Sequence, residues 1–157
     1  MSGKSTWSKR ALSQCDDETV IVSSDCFRDM FHGKYLYNLK FEPLVVQSTL
    51  NAISLAIKSK YNVIVDEALL SLDVIRRMTL VNLIKSYDDT IKIKFVSFEP
   101  ATSLINIESR IKEHHDITKT RWKQIYEELL TSYQPVQDTE PYDSIEYIDV
   151  SKQLNHE

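Results

Sequence analysis

The sequence predicts an α/β domain on a mostly parallel sheet, and three observations carry that expectation. Short β-branched runs alternate with longer stretches of helical period all the way down the chain. The runs Thr19-Val20-Ile21-Val22-Ser23 and Val63-Ile64-Val65 are near-continuous apolar, as strands of a buried parallel sheet are. A length of 157 residues, 42% hydrophobic and 27% charged, suits one domain with one core, so residues 1–157 are expected to form a single domain.

Each element has its own signal. Thr19–Ser23 reads as the first strand, followed by a short helix from Cys26 to His32. Glu42 to Lys58 carries Val46, Leu50, Ile53 and Ile57 at spacings of 4, 3 and 4, which predicts a helix buried along that face. Tyr61–Asp66 is the second strand. Leu72 to Tyr87 is a long helix with Ile75, Met78, Leu80, Leu83 and Ile84 towards the core. Ile91–Phe98 begins in alternation and ends apolar, as a third strand entering the sheet does. Pro100 opens a helix to about Glu113. A further helix from about Ile117 to Ser132 holds Trp122, Ile125, Tyr126, Leu129 and Leu130, and Ser144–Val150 is the last strand. The chain shows no internal repeat and no linker long enough to divide it.

Composition narrows the function classes. No run of about 18 apolar residues indicates a membrane span, and the residues after Met1 are polar and basic, so the expected compartment is the cytosol. Cys15 and Cys26 are too few for a disulfide framework or a zinc site and are expected to be small buried or half-buried hydrophobes. Net charge is 19 − 23 = −4, which argues against a basic footprint over the whole surface but allows a local one.

The chemistry starts at the first residues. Met1-Ser2-Gly3-Lys4-Ser5-Thr6 is the closing half of the phosphate-binding pattern G-x-x-x-x-G-K-[ST], whose first glycine falls three positions before Met1. In that pattern Gly3 lets backbone approach an anion, Lys4 reaches the outer phosphates, and the Ser5 hydroxyl sits on Mg²⁺. Ser2, Gly3, Lys4, Ser5 and Thr6 are therefore the expected nucleotide-binding residues, at the start of a helix whose dipole favours phosphate. A bare Gly-Lys-Ser triplet also arises by chance. The chain has only two glycines, Gly3 and Gly33, and one stands where a phosphate loop needs it.

Asp25 follows the first strand, where ligands bind in open α/β sheets, and would face the same crevice as Lys4. It is placed to accept a proton from an attacking hydroxyl, with Arg28 three residues on to hold an anionic acceptor; the plainer reading of Asp25 is a helix N-cap. Asp66 ends the second strand and opens two readings. With Glu67 it makes an ATPase pair, Asp66 on the Mg²⁺ shell and Glu67 activating water; alternatively it is an acceptor-site carboxylate of a kinase. The plainer reading is a capping or solvated carboxylate. Between Phe98 and Tyr126 the chain turns basic, and a helical flap carrying Arg110 would neutralise charge during transfer, although a charge-rich helix pair is more simply a solvated face. His114-His115 lacks metal-ligand spacing, and Arg76-Arg77 reads as surface.

Taken together, Gly3-Lys4-Ser5-Thr6-Trp7, Asp25-Cys26-Phe27-Arg28, Val63-Ile64-Val65-Asp66 and Arg110 resemble the P-loop kinase family of bacteriophage-type polynucleotide 5′-hydroxyl kinases. The resemblance spans almost the whole chain. It implies a P-loop NTPase fold of three α/β/α layers with a helical lid at about 100–120, and ATP and Mg²⁺ as cofactors. By the same resemblance Asp25 is the general base, Arg28 contacts the acceptor, Asp66 orients the acceptor side, and Arg110 is the lid arginine acting beside Lys4. Three positions depart from that pattern. Asn106 stands where a lid arginine is usual, Ile117-Thr118 where valine-proline is, and Ala68 where an asparagine follows the strand aspartate.

The resemblance also implies a central first strand feeding the phosphate loop, in the order 2-3-1-4-5. The chain is accordingly expected to be N-terminally truncated, with a start codon about 10 residues upstream restoring that strand. The expected function is transfer of the γ-phosphoryl group of ATP to a hydroxyl, the 5′-hydroxyl of a polynucleotide. The alternatives are an ATPase or nucleotide-dependent switch using Asp66 and Glu67, a small-metabolite or nucleoside kinase, and a non-catalytic binding remnant.

Overall fold

Two parallel strand pairs organise the protein, seen in a computed structural model that describes residues 3–15, 17–33, 38–98 and 118–148. The elements run α1 (Lys4–Gln14), β1 (Thr19–Ser23), α2 (Ser24–His32), α3 (Glu42–Lys58), β2 (Asn62–Asp66), a 3₁₀ turn (Ala68–Ser71), α4 (Val74–Tyr87), β3 (Lys94–Phe98), α5 (Lys119–Ser132) and β4 (Ser144–Ile148). The chain divides into two compact units. One gathers Ser5–Ala68 and Asn82–Ile91, and the other Met1–Lys4, Leu69–Val81 and Lys92–Glu157. The expected helix from Pro100 to Glu113, most of the expected lid, and Ser2 and Arg110 lie outside the described residues.

In the first unit β1 and β2 pair in parallel, with Thr19 opposite Asn62 and Ser23 opposite Asp66. Parallel neighbours need a crossover, and α2 and α3 supply it, α3 packing against both strands and α2. The Asn62 N–H donates to the Glu18 carbonyl at 2.8 Å, which fixes where the second strand joins the first. Tyr61 is exposed, and its N–H instead closes the end of α3 on the Ala56 carbonyl. At the end of α2, Gly33 takes φ 62 and its N–H donates to the Asp29 carbonyl at 2.8 Å, a left-handed stop that glycine adopts without penalty.

Helix α3 has the expected bounds but buries a neighbouring face. Glu42, Val45, Thr49, Ile53 and Ala56 are buried, whereas Val46 is exposed. The buried stripe keeps helical spacing, and two of its members are polar side chains with partners inside the protein. Thr49 Oγ1 donates to the Val45 carbonyl at 2.8 Å, and Glu42 is held by Arg28. Counting apolar residues alone therefore rotates the face away from where it lies.

In the second unit β3 and β4 pair in parallel, from Lys94 opposite Ser144 to Phe98 opposite Ile148. Its buried apolar residues are Val81, Ile93, Phe98, Trp122 and Ile148. Thr118 caps α5 by accepting the Arg121 N–H, and Asp73 accepts the N–H groups of Ile75 and Arg76 at the start of α4. That cap explains why α4 begins at Val74 and not at Leu72.

The expected core face of α4 is corrected. Ile75 is 73% exposed and Met78 is also exposed, while Arg77 and Val81 are buried. Arg77, read from the sequence as surface, is 4% exposed because each of its five N–H donors is engaged. Nε and Nη2 donate to the two Glu140 oxygens at 2.6 and 2.7 Å, and the remaining donors reach the carbonyls of Leu70, Gln134 and Pro135. The two cysteines are a second correction, since both Cys15 and Cys26 are exposed. Cys26 lies on the outer side of α2 and Cys15 just past the end of α1, so neither contributes to a core.

Candidate active site

Parallel strands end at the same edge of their sheet, and β1 and β2 end side by side at Ser23 and Asp66. The chain turns directly from β1 into α2. Ser23, extended at φ −137, is the N-cap, and its side chain makes no capping hydrogen bond. Asp25 stands in the first turn, two residues further on, so it is not the cap. Its carboxylate is held by Arg28 Nη1 at 2.6 Å and remains about a quarter exposed, with 28% of the side-chain surface accessible. Asp66 and Glu67 lie half-buried where β2 leaves the sheet.

Arg28 binds this edge together. It is 7% exposed, and its Nε and Nη2 grip Glu42 Oε1 and Oε2 at 2.8 and 3.0 Å, a bidentate fork between α2 and the first turn of α3. Nη1 donates both to Asp25 and to Ser24 Oγ, the latter at 3.1 Å. Hydrogen bonding to Glu42 holds the guanidinium well above the ordinary arginine range against the opposing effect of burial, and the charges of Glu42, Asp25 and Glu67 add to the hold. Four of the five Arg28 N–H donors are engaged by these partners.

At the other functional sequence, Gly3 takes φ 76 immediately before α1 starts at Lys4. A left-handed residue there is what a phosphate-cradling turn into a helix uses, and a side chain at that φ is strained. The first turn of α1 holds no acidic residue to oppose an anion. Lys4 is half-buried, and Ser5 and Thr6 are exposed.

Residues 2–130 match the profile of a family described as AAA domain, a stretch that covers most of the chain. The chain belongs to the AAA domain family. It is thus a P-loop domain of an NTPase-like family that includes kinases, and the parallel pairs and helices described above agree with that fold. A search of the curated proteins gives no match.

Within this AAA domain, the structure brings together Asp25, Arg28 and the strand end that carries Asp66. Two residues at the same edge escaped the sequence reading. From the sequence Glu42 is only the first residue of a helix, and Ser24 falls between the first strand and the helix after it with no role assigned. Helical spacing from Glu42 through Val45 and Thr49 to Ile53 is the signal that would have exposed Glu42, a carboxylate in register with a buried stripe.

Proposed function

We propose that this AAA domain is a cytoplasmic kinase that transfers the γ-phosphoryl group of ATP to a hydroxyl, the 5′-hydroxyl of a polynucleotide. The observation that carries the reading is Asp25, a partly exposed carboxylate fixed at 2.6 Å by Arg28 at a strand edge where α/β proteins bind ligands. Asp25 accepts the proton of the attacking hydroxyl, and Arg28 contacts the acceptor. Asp66, at the end of the neighbouring strand, orients the acceptor. Gly3, Lys4, Ser5 and Thr6 hold the nucleotide, with Lys4 on the outer phosphates, and Ser2 and Arg110 complete the loop and lid by resemblance.

Mg²⁺ fits this donor set as a companion of the triphosphate. Among the described residues no group of three or more His, Cys, Asp and Glu is assembled to hold a metal alone. A P-loop serine supplies one oxygen and the phosphates supply others, which is how Mg²⁺ is commonly bound. Ser5 is the residue for that role, and the ion, when bound, neutralises phosphate charge.

Labelled ATP offered with a short 5′-hydroxyl oligonucleotide, the same oligonucleotide already 5′-phosphorylated, and free nucleosides tests the acceptor. Label on the first alone is the expected result. Label on nucleosides alone points to a small-molecule kinase. Release of phosphate without any acceptor, lost in Glu67→Gln, points to the ATPase reading, in which Glu67, next to Asp66 at the end of β2, activates water.

A further inference from the structure

Glu42 is one of the most deeply buried carboxylates among the described residues, at 5% exposure, and it is spent wholly on Arg28. Burying a carboxylate and a guanidinium is costly unless the geometry is good, and the bidentate fork provides it. The fork also fixes the plane of the guanidinium. Because Nη1 lies in that plane, its direction fixes Asp25 Oδ1 at 2.6 Å, and Ser24 Oγ at 3.1 Å steadies the same nitrogen. The chain of contact thus runs from α3 through Arg28 to Asp25.

Charge runs along the same path. Arg28 faces Asp25 and Ser24 from its own helix, Glu42 from α3, and Glu67 from the chain leaving β2, with Asp66 next to Glu67. Without Glu42 the guanidinium loses its bidentate anchor, and the plane that points Nη1 at Asp25 is no longer fixed from α3.

We propose that Glu42 is a positioning residue that aims Asp25 through Arg28, without contacting nucleotide or acceptor. This rests on the reading of Asp25 as the proton acceptor. The test is the kcat and KM of phosphoryl transfer for the wild type, Glu42→Gln, Glu42→Asp and Asp25→Ala, with nucleotide affinity and the melting curve measured on each protein.

Glu42→Gln is expected to fold, to bind nucleotide and acceptor as the wild type does, and to lose about a hundredfold in kcat with KM little changed. An unchanged kcat, or a lower kcat that comes with an equal loss of nucleotide affinity, overturns the proposal. If Glu42→Gln does not fold, Glu42→Asp keeps the charge and shortens the arm; it is expected to lower kcat with KM little changed, and an unchanged kcat overturns the proposal. Transfer that survives in Asp25→Ala instead brings down the underlying assignment of Asp25, an outcome that the Glu42 variants alone do not produce.

Discussion

Ser23 stands opposite Asp66 in the parallel register of β1 and β2, so α2 and the turn after β2 leave the sheet at one edge. Asp25 and Glu67 follow these two residues within two positions, and Arg28 faces both. The acceptor chemistry proposed for this AAA domain is built on that register.

The proposed phosphate loop is tested at Gly3. With φ 76, alanine at this position costs about 1–2 kcal/mol of backbone strain, and in the proposed loop the added methyl would stand where backbone approaches an anion. Gly3→Ala is expected to weaken nucleotide affinity by about tenfold or more, read by nucleotide titration, and to lower the melting temperature by a few degrees at most. An unaltered affinity would remove Gly3 from the nucleotide site.

Arg77 and Glu140 pin the segment before β4 to α4. Both are buried and linked by two short hydrogen bonds, so removing one partner strands a charge. Glu140→Ala is expected to lose about 3–5 kcal/mol of stability in urea unfolding. A loss below about 1 kcal/mol would show that the pair is unimportant to folding.

The same pair gives a pH signature. Hydrogen bonding to Arg77 holds the Glu140 carboxyl below its ordinary value of 4.5, with the Gln137 N–H assisting. A folded value below the unfolded one contributes stability that is present above about pH 4.5 and is lost as pH falls through the folded value. Urea unfolding measured between neutral pH and pH 3 should therefore show a steeper acid loss in the wild type than in Glu140→Gln. Parallel curves would contradict the linkage.

Helix α3 separates its two candidate faces. Ile53 is 1% exposed and Val46 is 43% exposed. Ile53→Ala is expected to cost about 2–5 kcal/mol, and Val46→Ala to stay within about 0.5 kcal/mol. Equal losses in thermal or urea unfolding would place both residues in the core.

The sequence exposes the strand ends well and the helix faces poorly, for a physical reason. β1 and α3 have the bounds expected from it, because β-branched runs and helical apolar spacing are local signals. The buried faces of α3 and α4 include Glu42, Thr49 and Arg77, polar side chains that enter the interior only because a partner awaits them. Those partners, Arg28 for Glu42 and Glu140 for Arg77, are 14 and 63 residues away along the chain, and no local pattern announces them. The same holds for the site. Asp25 and Arg28 are legible as a pair three residues apart, whereas Glu42 joins them only through the packing of α3 on α2.

The central assignment is Asp25 as the proton acceptor in phosphoryl transfer, and its direct measurement is label transfer from γ-labelled ATP to a 5′-hydroxyl oligonucleotide by the wild type and Asp25→Ala, with ATP affinity determined for both. The account predicts a fall in kcat of about 10²–10⁴ with ATP affinity nearly unchanged. Transfer by Asp25→Ala at the wild-type rate would contradict it.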